Sequence, residues 1–152
     1  VSYQLVRAEI KTLLEGVTGI GQVHDYRRFD VEPDQINAVF QSTAGIINAW
    51  TIDRATTQAA PLTNTEITRT HRFVIRGYYE LSDSTGSLKT FQALIESIEI
   101  AFRDQPLLSN TVENSGPLQV GPPPVQVLQL GVQDVHYCEL ILDATERVLR
   151  ST

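Results

Sequence analysis

Apolar positions recur along this chain with two different periods, and the switches between them mark its elements. Val6, Ile10, Leu13 and Leu14 fall on one face of a helix from about Tyr3 to Glu15, which Gly16 ends. Gly19 and Gly21 punctuate the following turn, and Val23 to Phe29 reads as a strand with polar residues interleaved. From Asp30 to Gln41 the pattern predicts a short helix: Asp30 can cap it, Pro33 is tolerated in its first turn, and Ile36, Val39 and Phe40 have helical spacing. Ile46 to Asp53 is rich in β-branched residues and apolar on both faces near Trp50, which predicts a strand that is central in its sheet or meets another subunit with one face. Leu88, Phe91, Leu94, Ile95, Ile98, Ala101 and Phe102 form the broad stripe of a helix from Leu88 to Asp104, with Ser84 or Thr85 available to cap it and Pro106 to stop it. Gln105 to Pro124, with Pro122-Pro123-Pro124, predicts an irregular extended path. Val125 to Val132 and Val135 to Ala144 predict a closing antiparallel hairpin, and Thr145 to Thr152 a polar tail.

The clearest alternation lies in Ile67 to Leu81. Phe73, Ile75, Tyr79 and Leu81 share one face with Gly77 between them, whereas Thr68, Thr70, Arg72, Val74, Arg76, Tyr78 and Glu80 share the other. Its first half, Thr68 to Arg72, has too few apolar residues for a core, and Ala55 to Glu66 before it is a linker of Ala, Thr, Gln, Pro and Asn. The hairpin from Gly45 to Leu81 is therefore too long to bury its tip in its own domain. The whole predicts one α+β domain over residues 1–152: a mostly antiparallel sheet, two main helices packed on one face, and an extended β-hairpin arm.

Composition narrows the class. At 152 residues, 41% hydrophobic and 20% charged, the chain suits a single soluble globular domain. No apolar run approaches the ~20 residues that span a bilayer, and the first residues lack the features of a secretory signal, which predicts a cytoplasmic product starting naturally at Val1. A net charge of −6 argues against sequence-specific nucleic-acid binding, which depends on neutralising phosphates. Lys11 and Lys89 are the only lysines, and arginine is the cation enriched where protein surfaces meet; a GC-rich genome would produce the same bias.

Candidate chemistry is sparse. Gly16, Gly19 and Gly21 follow a helix and precede a strand, the reverse of a phosphate-binding loop. His24, His71 and His136 stand at no recognised metal spacing, and Cys138, in the apolar run Val135 to Leu142, reads as a buried thiol. Ser42 and Ser109 sit in no nucleophile motif. Glu96 and Glu99 lie off the apolar stripe of their helix as a solvated face. Glu139 and Asp143 share a strand face with Tyr137 and Ile141, where Arg72 or Arg76 would be a reasonable partner. These readings predict no catalytic residue, no cofactor and no metal.

Several runs together carry a resemblance: the opening helix ending in E-G-V-T-G-I-G, A-W-T-I at Ala49 to Ile52, H-R-F-V-I-R-G-Y-Y at His71 to Tyr79, L-K-T-F-Q-A-L-I-E-S-I at Leu88 to Ile98, and H-Y-C-E-L-I-L at His136 to Leu142. In element order and texture, over nearly the full chain, the sequence resembles the tail terminator, or tail completion, proteins of long-tailed bacteriophages and related head-tail joining proteins. The resemblance implies a structural virion subunit, assembled in the host cytoplasm, that closes into a ring, typically a hexamer. Such a ring ends tail-tube polymerisation at the head-proximal end, meets the tail-tube protein and the head connector or stopper, and lets the genome pass through an acidic channel. On that reading an arm from Ala55 to Arg72 lies across the next subunit. Arg54, Thr56, Pro61, Arg69, Arg72 and Arg76 become the candidate interface, and the Gln105 to Pro124 loop faces the tube or the connector. The competing expectations are another neck or connector subunit, a monomeric adaptor, and a small-molecule-binding module or enzyme with its site under that loop.

Overall fold

The computed structural model describes residues 3–26, 40–41, 46–105, 108, 114–121, 125–130 and 133–149. Helix α1 (Tyr3–Glu15) leads to strands β1 (Gln22–His24), β2 (Asn48–Pro61) and β3 (Glu66–Glu80), then helix α2 (Ser87–Arg103), the short strands β4 (Asn114–Ser115), β5 (Gln119–Val120) and β6 (Gln126–Leu130), and β7 (Gln133–Leu149). The fold is α+β. Its strands form one mixed, mostly antiparallel sheet in the order β1-β2-β3-β7, with β4, β5 and β6 successively occupying the far edge of β7. The one parallel pair is β1 with β2. No helix among the described residues is long and apolar enough to cross a membrane.

Alternation along the strands sends one set of side chains toward the helices. Val6, Ile10 and Leu14 of α1 and Phe91, Leu94, Ile95, Ile98 and Phe102 of α2 share a core with Trp50, Ile52, Phe73, Ile75, Cys138, Leu140 and Leu142. Trp50 lies against Gly77 on the neighbouring strand, and a Cβ at residue 77 would sit 2.4 Å from its ring. Asn48 joins this core to the glycine-rich turn: its side chain donates to Gly19 O at 2.9 Å and accepts from Trp50 Nε1 at 3.1 Å. Gly21 passes so close to the Asn48 carbonyl that no side chain would fit. On the opposite face, Phe40, Ile47, Ala49, Leu130 and Val135 make a smaller cluster with Tyr78 packed on it.

Three expectations need correction. Ala55 to Glu66 is not a linker, because β2 continues to Pro61 and β3 begins at Glu66, leaving a turn of four residues. Thr145 to Leu149 is not a polar tail; it extends β7, and its residues pair with Glu66 to Thr70 of β3. Hydrogen bonding between three strands imposes extended structure on sequences with little apolar alternation of their own. Neither Ser84 nor Thr85 caps α2: Gly86 holds that position in a left-handed conformation without a side-chain cap bond, while Thr85 Oγ1 donates to Ser82 O. The strand expected over Val23 to Phe29 is Gln22–His24 within the described residues, and most of Asp30 to Gln41 lies outside them. Gln105 to Pro124 carries the short strands β4 and β5.

Replacing Gly77 by Ala should destabilise the protein by about 3 kcal/mol, since the Trp50 ring must shift inside a packed core. Urea unfolding followed by Trp50 fluorescence measures it, and an unchanged midpoint would contradict the packing described.

Candidate functional site

The distal part of the sheet, where β2, β3 and β7 run past the main core, holds most of the candidate residues. A register irregularity between Arg54 and Thr56 interrupts the β2–β3 ladder where this part begins. From Arg54 to Pro61 every residue of β2 is exposed, and β1 covers β2 only at Ala49, Trp50 and Thr51. Among the described residues the outer edge of β2 is therefore unpaired from Asp53 onward. Thr56 and Pro61 lie on that exposed stretch.

The helix-side face of the distal sheet is polar yet partly buried. His71, expected in a segment outside the core, is fully buried on the same strand face as Phe73, with the Tyr3 ring 5.9 Å away. Its Nδ1 lies 2.8 Å from Thr57 Oγ1 and its Nε2 3.2 Å from Glu146 Oε1. A neutral ring protonated on Nε2 would donate to Glu146 and accept from Thr57. Arg69 Nη1 approaches the same carboxylate oxygen at 3.4 Å, whereas Glu146 Oε2 is buried without a hydrogen-bond partner. Arg54 lies over the Tyr3 ring, 4.1 Å from its centroid, on ground that a cation favours.

The opposite face is a ladder of ion pairs. Arg72 makes two bonds to Asp143, at 2.9 and 3.1 Å, and these bonds, with the carboxylate's charge, push the guanidinium pKa up from its already high value. Arg76 sits between Asp53 at 3.5 Å and Glu139 at 3.6 Å. Arg147 reaches Glu66 at 3.8 Å. Of the predicted interface arginines, Arg69, Arg72 and Arg76 thus have carboxylate partners in their own chain. The Arg72–Asp143 and Arg76–Glu139 pairs follow the shared strand face read from the sequence.

Sequence reasoning missed Glu146 and Thr57. Glu146 lies in the supposed tail and Thr57 in the supposed linker; the spacing Ala144, Glu146, Val148 is the only local signal that Glu146 faces the helix side. The other candidate chemistry is dispersed. His136 bonds Ser87 Oγ at 2.8 Å, and no group of His, Cys, Asp and Glu among the described residues could hold a metal. The Thr57–His71–Glu146 series has the connectivity of a nucleophile relay. Thr57, however, sits on the exposed stretch of β2 while His71 and Glu146 are buried, so the arrangement fits a structural lock better. No family model matches the chain, and no curated protein matches its sequence.

Two outcomes follow. Glu146→Ala should cost about 3 kcal/mol in unfolding free energy, because it strips the buried His71 of its partner; retained stability would contradict the lock. Burial pushes the Cys138 thiol and the Tyr137 phenol each up to about 12. The native state therefore keeps protons that the unfolded chain releases, and their stabilisation is complete below the usual thiol range and lost as pH rises toward 12. Stability should decline above about pH 9, with Cys138 alkylated only on unfolding; rapid alkylation of the native protein would contradict this.

Proposed function

We propose that the protein is a ring-forming structural subunit of a long-tailed phage virion, acting at the head-proximal end of the tail as a tail terminator. The observation that carries this reading is the exposed edge of β2 from Arg54 to Pro61. Long unpaired edges invite pairing with another chain, and proteins that avoid it place lysines, charges or prolines along them. This edge is mainly Ala, Thr and Gln, with Pro61 only at its end. An extended arm of this kind, resting on a neighbour and adding a strand to its sheet, is an economical route to assembly.

The pairing of Arg69, Arg72 and Arg76 within the chain refines the role of the candidate interface. Those arginines stiffen the arm, and contact with a neighbour falls to Arg54, Thr56, Pro61 and the β2 backbone. The two helices, packed on one face, leave the arm projecting beyond them. A net charge of −6 suits a channel through which the genome passes without adhering. The partners on this reading are further copies of the chain, the tail tube and the head connector.

Replacing Ala60–Thr68 with Asn-Gly removes the tip while retaining the Ala59–Arg69 pair and the His71–Glu146 contact. The shortened protein should keep native circular dichroism yet lose ring formation in sedimentation and fail to complete tails. Intact rings from the shortened chain would overturn the role of the arm.

A further inference from the structure

The tip of the arm exposes apolar side chains. Leu149 is 71% and Leu62 47% exposed, beside the exposed Pro61. In both ion pairs described at the tip the arginine is the more exposed member. Arg147 is 48% exposed against 27% for Glu66, and Arg69 33% against 2% for Glu146.

A groove of complementary character lies elsewhere on the molecule. It measures about 400 Å³ and runs between the last turns of α2 and the β4–β5 segment, with Glu96, Glu99, Ile100 and Leu118 in its wall. Glu99 also borders a second hollow of about 360 Å³ against Val120 and Val125, so the two adjoin along α2. Ile100 and Val120 are exposed there, and neither Glu96 nor Glu99 has an ion-pair partner among the described residues. Arg103, at the groove's end, turns to Asp104 at 3.5 Å.

The tip cannot fold into the groove of its own chain. Pro61 and Leu62 belong to the β2 side of the sheet, whereas β4 and β5 occupy the far edge of β7, with β3 and β7 between. β3 is held against β7 by unbroken pairing, β2 is paired with β3 from Thr56 to Pro61, and β7 runs on from Thr145, opposite β4, to Leu149 at the tip. Only a second copy can bring tip and groove together. Because the two surfaces differ, the contact can repeat head-to-tail, and in a ring subunit it does so until the ring closes.

Resting on the reading of this chain as a self-assembling ring subunit, we propose that the arm tip of each copy, through Leu62 and Leu149, seats in the groove between α2 and β4–β5 of the next copy. Glu96 and Glu99 there face the exposed arginines of the tip, Arg147 foremost. Apolar cover supplies the attraction, and the charges orient the docking.

The test uses the full chain with Leu62→Cys and Ile100→Cys combined, concentrated and oxidised. The expected product is a disulfide-linked ladder extending to the closed ring, with each single variant stopping at dimers. Separately, Glu99→Arg should weaken assembly about tenfold, and adding Arg147→Glu should restore it. Rings without a ladder, or a swap that restores nothing, would overturn the groove contact while leaving the ring subunit intact. A wild-type chain that stays monomeric when concentrated would overturn both.

Discussion

β3 and β7 pair without a break over fifteen positions, from Glu66–Leu149 to Glu80–Val135, and this ladder sets where both the core and the distal polar residues fall. One end of this ladder lies under the two helices and carries Phe73, Ile75, Leu140 and Leu142. The other runs past the apolar core, where His71 and Glu146 meet instead. A buried pair of this type adds little net stability, since desolvation offsets most of its attraction. It does penalise error: a slip of two residues would leave both groups buried and unpaired, at a cost of several kcal/mol. The lock thus favours the observed register of β3 against β7.

How far the sequence discloses this fold depends on where apolar spacing carries the signal. Both helices are legible because their stripes repeat at the helical period, and the core half of β3 because Phe73, Ile75 and Tyr79 alternate with polar residues. The distal half gives almost no such signal. Ala55 to Ala60 is small and polar throughout, and Thr145 to Leu149 reads as a solvated end, so their strand structure comes from neighbours rather than from their own preferences. The same division runs through the candidate site. Arg72 and Arg76 can be matched to Asp143 and Glu139 because strand alternation sets all four on one face, whereas the His71–Glu146 contact joins residues 75 positions apart and has no local trace.

Internal pairing of the arginines changes what the distal sheet offers a partner. A face whose charges are satisfied by Asp143, Asp53 and Glu139 is stiff and polar, suited to lie against solvent or a lumen. Among the described residues, what stays unpaired is the β2 edge beyond Thr51, and what stays exposed is the apolar tip. On the proposed reading, each subunit meets its neighbour through these surfaces and offers a different one in return. Repeated head-to-tail with a rotation that closes, such a contact builds a ring.

The central claim is assembly of identical chains into such a ring. Native mass measurement of the concentrated, unmodified protein, paired with negative-stain electron microscopy of the same sample, addresses it most directly. The account predicts closed rings of one mass with a central opening; a uniform monomer, or a two-fold dimer without an opening, would contradict it.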